Sequence, residues 1–247
     1  MINAPSTSQH FNRFELKFLL HYKQAREFVE RISSHVHADP NAVRDGFYKI
    51  VSVYYDSPGL ACYWEKLDGE KYRRKVRVRT YGDTPDLAFI EIKQRLNLNV
   101  QKRRLKAPLA EVQEEMQRIC AGHYPGAVHP VLDEVSHLYQ RYQLRPTLLV
   151  SYNRAAYFDS MQKGLRITLD RNIRCRNLDL DPAHSRTRGR HAVPPQFLIL
   201  EVKFDETMPR WLATVMNSMD FELQRISKYC QGIERCGMQQ GLIRHPD

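Results

Sequence analysis

Across residues 71–95 polar and apolar positions alternate twice over. In KYRRKVRVRT, Arg73, Lys75, Arg77 and Arg79 fall on one face of an extended segment and Val76 and Val78 on the other, because successive side chains of a strand point to opposite sides. After the turn residues Gly82, Asp83, Thr84 and Pro85, residues 87–94 alternate again, with Glu91 and Lys93 opposite Ile90 and Ile92. One such hairpin is an ordinary half-buried sheet. The pattern returns along the chain, however. Residues 11–20 set Arg13, Glu15 and Lys17 against Phe14, Leu16 and Phe18, and residues 100–106 gather Lys102, Arg104 and Lys106. Residues 147–158 align Tyr152 with Arg154, residues 165–175 align Arg166, Thr168 and Asp170, and residues 197–204 set Glu201 and Lys203 against Leu198, Leu200 and Val202. Residues 49–55 read as a further strand.

Helical spacing predicts helices between these strands. Residues 22–34 carry Ala25, Phe28, Val29 and Ile32 on one stripe, and residues 60–66 suit a short helix. Pro108 opens residues 109–120, with Met116 and Ile119 apolar, and a second helix follows at 131–142. Pro209 opens a helix bearing Trp211, Leu212, Val215 and Met219, and Ser227 caps a terminal helix running to about Cys236. His35, Val36 and His37 read as the exit from a helix into a loop, and residues 177–196 as a long mobile loop. The chain divides into a flexible tail at 1–10, one domain at 11–238 and a C-terminal tail at 239–247.

Antiparallel strands in this number commonly close into a barrel, and helices with one apolar stripe pack on the apolar faces. The expected fold is therefore α+β, an antiparallel closed β-barrel with a charged interior and helices on the outside. Cations on the collected face outnumber the carboxylates Glu15, Glu91, Asp170 and Glu201 about threefold, so internal salt bridges do not neutralise them and the interior must hold water and an anion. Lys17, Lys93 and Lys203, the lysines most enclosed by other cations, are expected to have lowered pKa values.

Composition narrows the partner. A formal charge of +10 and a pI near 9.4 over 247 residues point to a polyanion: nucleic acid, an acidic membrane surface or a phosphorylated small molecule. Nucleic acid fits poorly, because the basic residues alternate within strands that are apolar on their other face instead of interleaving with exposed aromatics; Trp211 reads as core packing. No apolar run reaches the ~18 residues of a membrane span and the start MINAPSTSQH lacks a signal-peptide core, so the expected location is cytoplasmic, with no membrane segment of its own. The five cysteines are scattered without a CxxC pair and the histidines are dispersed, so both read as structural.

Arginine forks match phosphate oxygens in pairs and lysines supply point charges, so a multiply charged phosphate chain along the barrel axis suits this face. Among its carboxylates Glu201 is the best candidate to hold Mg²⁺ or Mn²⁺ with phosphate oxygens, and Glu15, Glu91 and Asp170 are possible helpers for which structural salt bridging is the preferred reading.

The motifs Arg13-Phe-Glu15-Leu-Lys17, Lys75-Val-Arg77-Val-Arg79, Glu91-Ile-Lys93, Lys102-Arg-Arg104, Tyr152-Asn-Arg154, Leu165-Arg166-Ile-Thr-Leu-Asp170, Leu200-Glu201-Val-Lys203 and Ser227-Lys228-Tyr229 resemble, in order, the catalytic domain of the vacuolar transporter chaperone polyphosphate polymerases, within the triphosphate tunnel metalloenzymes. The resemblance covers about residues 11–237. It implies a tunnel barrel that transfers the γ-phosphoryl of ATP to a growing polyphosphate chain, with Mn²⁺ or Mg²⁺ on Glu201. Lys17, Arg77 and Arg79 would act with Glu201 in catalysis. Arg13, Lys75, Lys93, Lys102, Arg104, Tyr152, Arg154, Arg166, Lys203, Ser227 and Lys228 would bind phosphate. The hydrolytic branch opens with Glu-x-Glu-x-Lys; here Arg13 replaces the first glutamate, which favours polymerase over triphosphatase. Hydrolysis of triphosphate and noncatalytic polyphosphate binding are the alternatives. Eukaryotic relatives add a membrane segment and a phosphate-sensing module, which leaves open whether a separate membrane partner exports the product.

Overall fold

The computed structural model describes residues 13–43, 45–97, 99–159, 161, 164–184 and 189–242. The tail at 1–10, residues 185–188 of the long loop and residues 243–247 of the C-terminal tail lie outside the described residues, as does the side chain of Arg13.

The elements are β1 (Arg13–His21), α1 (Tyr22–Ile32), β2 (Val36–Ala38), β3 (Tyr48–Asp56), α2 (Ala61–Leu67), β4 (Tyr72–Tyr81), β5 (Leu87–Leu96), β6 (Asn99–Pro108), α3 (Leu109–Cys120), α4 (Pro130–Tyr142), β7 (Arg145–Asp159), β8 (Arg166–Arg176), β9 (Arg190–His191), β10 (Phe197–Asp205), α5 (Arg210–Ser218) and α6 (Lys228–Arg235). They form one antiparallel sheet in the order β1-β10-β8-β7-β3-β4-β5-β6, with β2 added to β7 and β9 to β8. The segment expected to leave a helix as loop is thus strand β2, and the long loop contains a 3₁₀ turn at Pro182–His184 and strand β9.

The sheet is not a closed barrel. Among the described residues β1 and β6 do not pair, because the outer edge of β1 is already taken: Phe18 bridges Leu223, and the Gln224 N–H donates to the Lys17 carbonyl at 2.8 Å. The sheet nevertheless curls far round. Six inter-strand steps separate β1 from β5 in the order above, roughly 29 Å if the sheet were flat. Lys93 of β5 instead brings its ammonium to 3.4 Å from the Glu15 carboxylate of β1. Both side chains lie on the polar face, which is therefore the concave one.

Two helix pairs cover the convex face. The capping box of α1, in which the His21 ring accepts from Lys23 N–H and the Gln24 side chain accepts from His21 N–H, starts a helix that buries Ala25, Phe28 and Ile32. With Leu212 and Met216 of α5 these residues pack on Phe18, Leu200, Val202 and Ile167. Helices α3 and α4 bury Met116, Ile119, Leu132 and Val135 on Val78, Ile90 and Ile92.

The third pair departs from the expectation that all helices lie outside. Tyr229, Cys230 and Ile233 of α6, with Cys62 and Tyr63 of α2, pack against Ile50, Leu148, Val150 and Ile199. These are positions in register with the polar face, so α6 closes one end of the concavity from within. Gly232 makes the fit possible: a Cβ there would stand 2.5 Å from Leu148 Cδ2 and 3.1 Å from Cys175 Cβ. Asp56 ties the three elements together. Fully buried, it accepts from the N–H groups of Ser57 (2.7 Å), Cys62 (2.9 Å) and Tyr63 (3.2 Å) and from the Tyr229 hydroxyl.

Candidate active site on the concave face

Strand registers bring the sequence-assigned residues together. Lys17 stands opposite Glu201 and Glu15 opposite Lys203 across β1 and β10; Glu201 faces Thr168, and Lys203 faces Arg166, across β10 and β8. Arg154 faces Asp170. Across β4, β5 and β6, Arg77 faces Glu91 and Glu91 faces Arg104, while Lys75 faces Lys93 and Lys93 faces Lys102. Lys228 reaches the same face from the first turn of α6, and Lys17 Nζ donates to the Ile226 carbonyl at 3.4 Å just before it.

Each carboxylate is shared among cations. Glu15 meets Lys17 at 2.7 Å, Lys93 at 3.4 Å and Lys203 at 3.7 Å, and Glu201 meets Lys203 at 2.5 Å and Lys17 at 4.0 Å. Glu91 meets Arg77 at 2.7 Å, Arg79 at 3.8 Å and Lys102. Asp170, fully buried, accepts a fork from Arg154 at 2.6 and 2.7 Å and pairs with Lys228 at 2.5 Å. The carboxylates thus hold the cations in place without matching their number. Lys75 lies 4.8 Å over the Tyr229 ring, Arg104 4.9 Å over Phe89 and Arg166 5.4 Å over Phe158, contacts that position a cation without cancelling its charge. The buried Arg166 Nε and Thr168 Oγ1 have no hydrogen-bond partner, the state of a donor awaiting an acceptor.

Titration follows from these neighbours. Burial would raise the Glu15 and Glu201 carboxyls; Lys93, Lys17 and Lys203 outweigh it at Glu15, holding it down to about 2, and Lys203, Lys17, Arg154 and Lys228 hold Glu201 well below the usual range. Burial opposes Glu91 and Asp170 too, and their arginines and lysines still hold both low. Of the lysines expected to be lowered, Lys93 is: desolvation by the surrounding wall, with Lys17 and Lys203 adding to it, exceeds the pull of Glu15. Lys17 goes the other way. Desolvation lowers its ammonium, yet Glu201 and Glu15 together raise it above the ordinary value. Desolvation also brings Lys102 down to about 8, against the pull of Glu91.

Sequence reasoning missed the hydroxyls that aim the arginines. Tyr54 accepts from Arg77 Nη1 at 3.1 Å, Ser52 from Arg79 Nε at 3.3 Å and Tyr48 from Arg166 Nη2 at 3.3 Å; Tyr152, which was assigned, accepts from Arg79 Nη2 at 3.3 Å. Burial alone would raise the Tyr54 phenol, but Arg77 and Arg79 hold it below its ordinary value. The Ser227 hydroxyl accepts from Cys230 N–H at 3.4 Å as the cap of α6.

Among the described residues no group of three His, Cys, Asp or Glu side chains gathers to hold a metal alone. Asp170 and Glu91 are engaged by arginines. Glu15 and Glu201, which share Lys17 and Lys203, offer the remaining carboxylate pair. That donor set fits a hard divalent ion that takes one or two carboxylates and completes its shell with phosphate oxygens and water.

The site is thus a concave sheet face on which lysines and arginines outnumber the carboxylates they surround. The chain belongs to the VTC domain family, which matches residues 12–236. Vacuolar transporter chaperone complex subunit 4 of Trypanosoma brucei brucei is 23% identical over 278 residues, covering 92% of this chain and 34% of that protein, so the chain spans about a third of this relative's length. The PH1819 protein of Pyrococcus horikoshii OT3 superposes with a TM-score of 0.45 at 14% identity over 90% of this chain and 98% of that one. The mimivirus capping enzyme triphosphatase does so with a TM-score of 0.38 at 11% identity over 85% and 89%. Among the described residues no helix is long and apolar enough to cross a membrane.

Proposed function

We propose that this protein is an ATP-dependent polyphosphate polymerase whose concave face holds the phosphates. The observation that carries the reading is the convergence of Lys17, Arg77, Arg79, Lys93, Lys102, Arg154, Arg166, Lys203 and Lys228 on one face, in a chain of the VTC domain family. A terminal oxygen of the polyphosphate chain attacks the γ-phosphorus of ATP, the bond from that phosphorus to the β,γ-bridging oxygen breaks, and ADP leaves. Phosphoryl transfer passes through a loose transition state with charge on the equatorial oxygens, so positioning and cationic stabilisation suffice without a covalent nucleophile.

Lys17, Arg77 and Arg79 stabilise that charge, and the tyrosine and serine hydroxyls fix the two guanidiniums beforehand. Lys75, Lys93, Lys102, Arg104, Arg154, Arg166, Lys203 and Lys228 hold the flanking phosphates. Binding exchanges the carboxylate partners of these cations for phosphate oxygens. Mg²⁺ or Mn²⁺ held by Glu201, with Glu15 beside it, would supply charge neutralisation on the phosphate oxygens.

The test is incubation of the purified protein with ATP and Mn²⁺ or Mg²⁺, following ADP release and resolving products by gel beside Glu201→Ala. Long chains that disappear with Glu201→Ala support the polymerase. Free phosphate without chains makes the protein a triphosphatase, and tight tripolyphosphate binding without turnover makes it a binding module.

A further inference from the structure

The polar face does not end in charge. Along β3 its positions run Tyr48, Ile50, Ser52, Tyr54, and the Tyr229 ring of α6 packs 5.1 Å from Tyr54, so Tyr48 stands six residues, roughly 20 Å of strand, from the closed end. Tyr81 stands equally far along β4 from Lys75, the residue over the Tyr229 ring. Phe89 is in register with Arg79, and Phe158 with Arg166. Tyr81, Phe89 and Phe158 therefore share the polar face at the end away from α6, with Tyr48 beside them.

Those three are not core, whereas Tyr48 packs against the apolar cluster that α6 joins. Among the described residues Tyr81, Phe89 and Phe158 join none of the apolar clusters, and Tyr81 is 36% exposed. Three of the rings touch, Tyr81 meeting Phe89 edge-on at 5.5 Å and Tyr48 at 6.2 Å, while Phe158 lies 6.0 Å from the His37 ring. Phe89 and Phe158 carry the guanidiniums of Arg104 and Arg166 on their faces. Tyr81 thus sits two residues beyond Arg79, and Phe89 and Phe158 stand in register with Arg79 and Arg166.

We propose that this aromatic end of the concave face is a nucleobase subsite, so that the site takes a nucleoside triphosphate phosphates first. The inference rests on the phosphate-binding reading above and adds what that reading does not specify. Tyr81 lies two residues, ~7 Å of strand, beyond Arg79, a separation that a ribose spans between base and phosphates. Stacking uses the π-face that every base has, so the subsite distinguishes nucleotides from inorganic polyphosphate while discriminating weakly among bases. The opposite end, filled by α6 and α2, leaves no place for a base.

Calorimetric titration of ATP and of inorganic tripolyphosphate into the wild type, Tyr81→Ala and Tyr81→Phe tests this. Tyr81→Ala is expected to weaken ATP about tenfold, within the range of one lost base stack, and to leave tripolyphosphate within twofold. Tyr81→Phe is expected to retain wild-type ATP affinity, and ATP, GTP and UTP to bind the wild type within a few-fold of one another. Equal losses for both ligands, or no loss for ATP, overturn the subsite while tripolyphosphate binding by the wild type upholds the phosphate site. A wild type that binds no tripolyphosphate overturns the phosphate reading itself, and the subsite with it.

Discussion

Replacing Asp170 by Asn removes one negative charge from a site where solvent does not reach. In the wild type Asp170 is wholly buried and answers two cations that are themselves nearly so, Arg154 through a fork at 2.6 and 2.7 Å and Lys228 at 2.5 Å. The amide keeps one acceptor and turns an NH₂ toward a guanidinium or an ammonium, leaving buried positive charge without a counterion. Breaking a buried pair in this way costs about 3–5 kcal/mol, and at ~2–4 °C per kcal/mol for a chain of this size the melting temperature should fall by ~6–20 °C. The deficit should depend on pH with a definite sign. A carboxyl held low in the folded state contributes its stability above its unfolded value near pH 4 and loses it as pH falls further, so the two melting curves converge in acid. It should also depend on ligand. If Arg154 and Lys228 face bound phosphate, saturating tripolyphosphate supplies the missing counter-charge and narrows the gap between variant and wild type by at least half. Scanning calorimetry with and without tripolyphosphate at pH 7, and without it in a series descending into acid, reads both effects. A drop under ~2 °C would refute the buried-pair reasoning, and a gap that ligand leaves unchanged would refute the placement of these cations toward phosphate.

Lys102 has its ammonium brought down to about 8, and bound phosphate favours the charged form, so tripolyphosphate affinity should be flat below pH 8 and weaken above it. Lys102→Arg, which stays charged, should abolish most of that slope in a calorimetric pH series; a slope that persists would place the titrating group elsewhere. Gly232→Ala improves helix propensity by ~1 kcal/mol, yet its Cβ would press on Leu148 and Cys175. Overpacking of that kind costs about 1–3 kcal/mol, so thermal melting should show net destabilisation, and a raised melting temperature would mean α6 is not seated against β7.

Alternation made the strands and their charged faces legible, because a period of two is local information. Register is not. Lys17 was expected to have a lowered pKa as one more crowded cation, and its shift reversed because β1 and β10 pair it with Glu201. Tyr54 and Ser52 escaped notice because β3, YKIVSVYYD, is apolar on both faces; only its pairing with Arg77 and Arg79 reveals which face they share. The stripe of α6 was readable, whereas the side of the sheet it covers depends on Gly232 meeting Leu148. The closed barrel was inferred from strand number, and a short segment at Leu223 and Gln224, without periodicity of its own, occupies the edge that closure would need.

The covering of β1 also bears on how the molecule assembles. Both strand-edge partners of this first strand, β10 on one side and the Leu223–Gln224 segment on the other, come from the last fifth of the chain. As the polypeptide leaves the ribosome, Phe14, Leu16 and Phe18 must wait for nearly two hundred residues to follow before any sheet neighbour exists. Pairing over such separations closes large loops and is slow, and an unpaired amphipathic strand is prone to adhere to other chains meanwhile. The order of synthesis therefore makes the seating of β1 a late event in the folding of this domain, with Lys17 and Glu15 reaching the concave face only once β10 and the Leu223–Gln224 segment have been made.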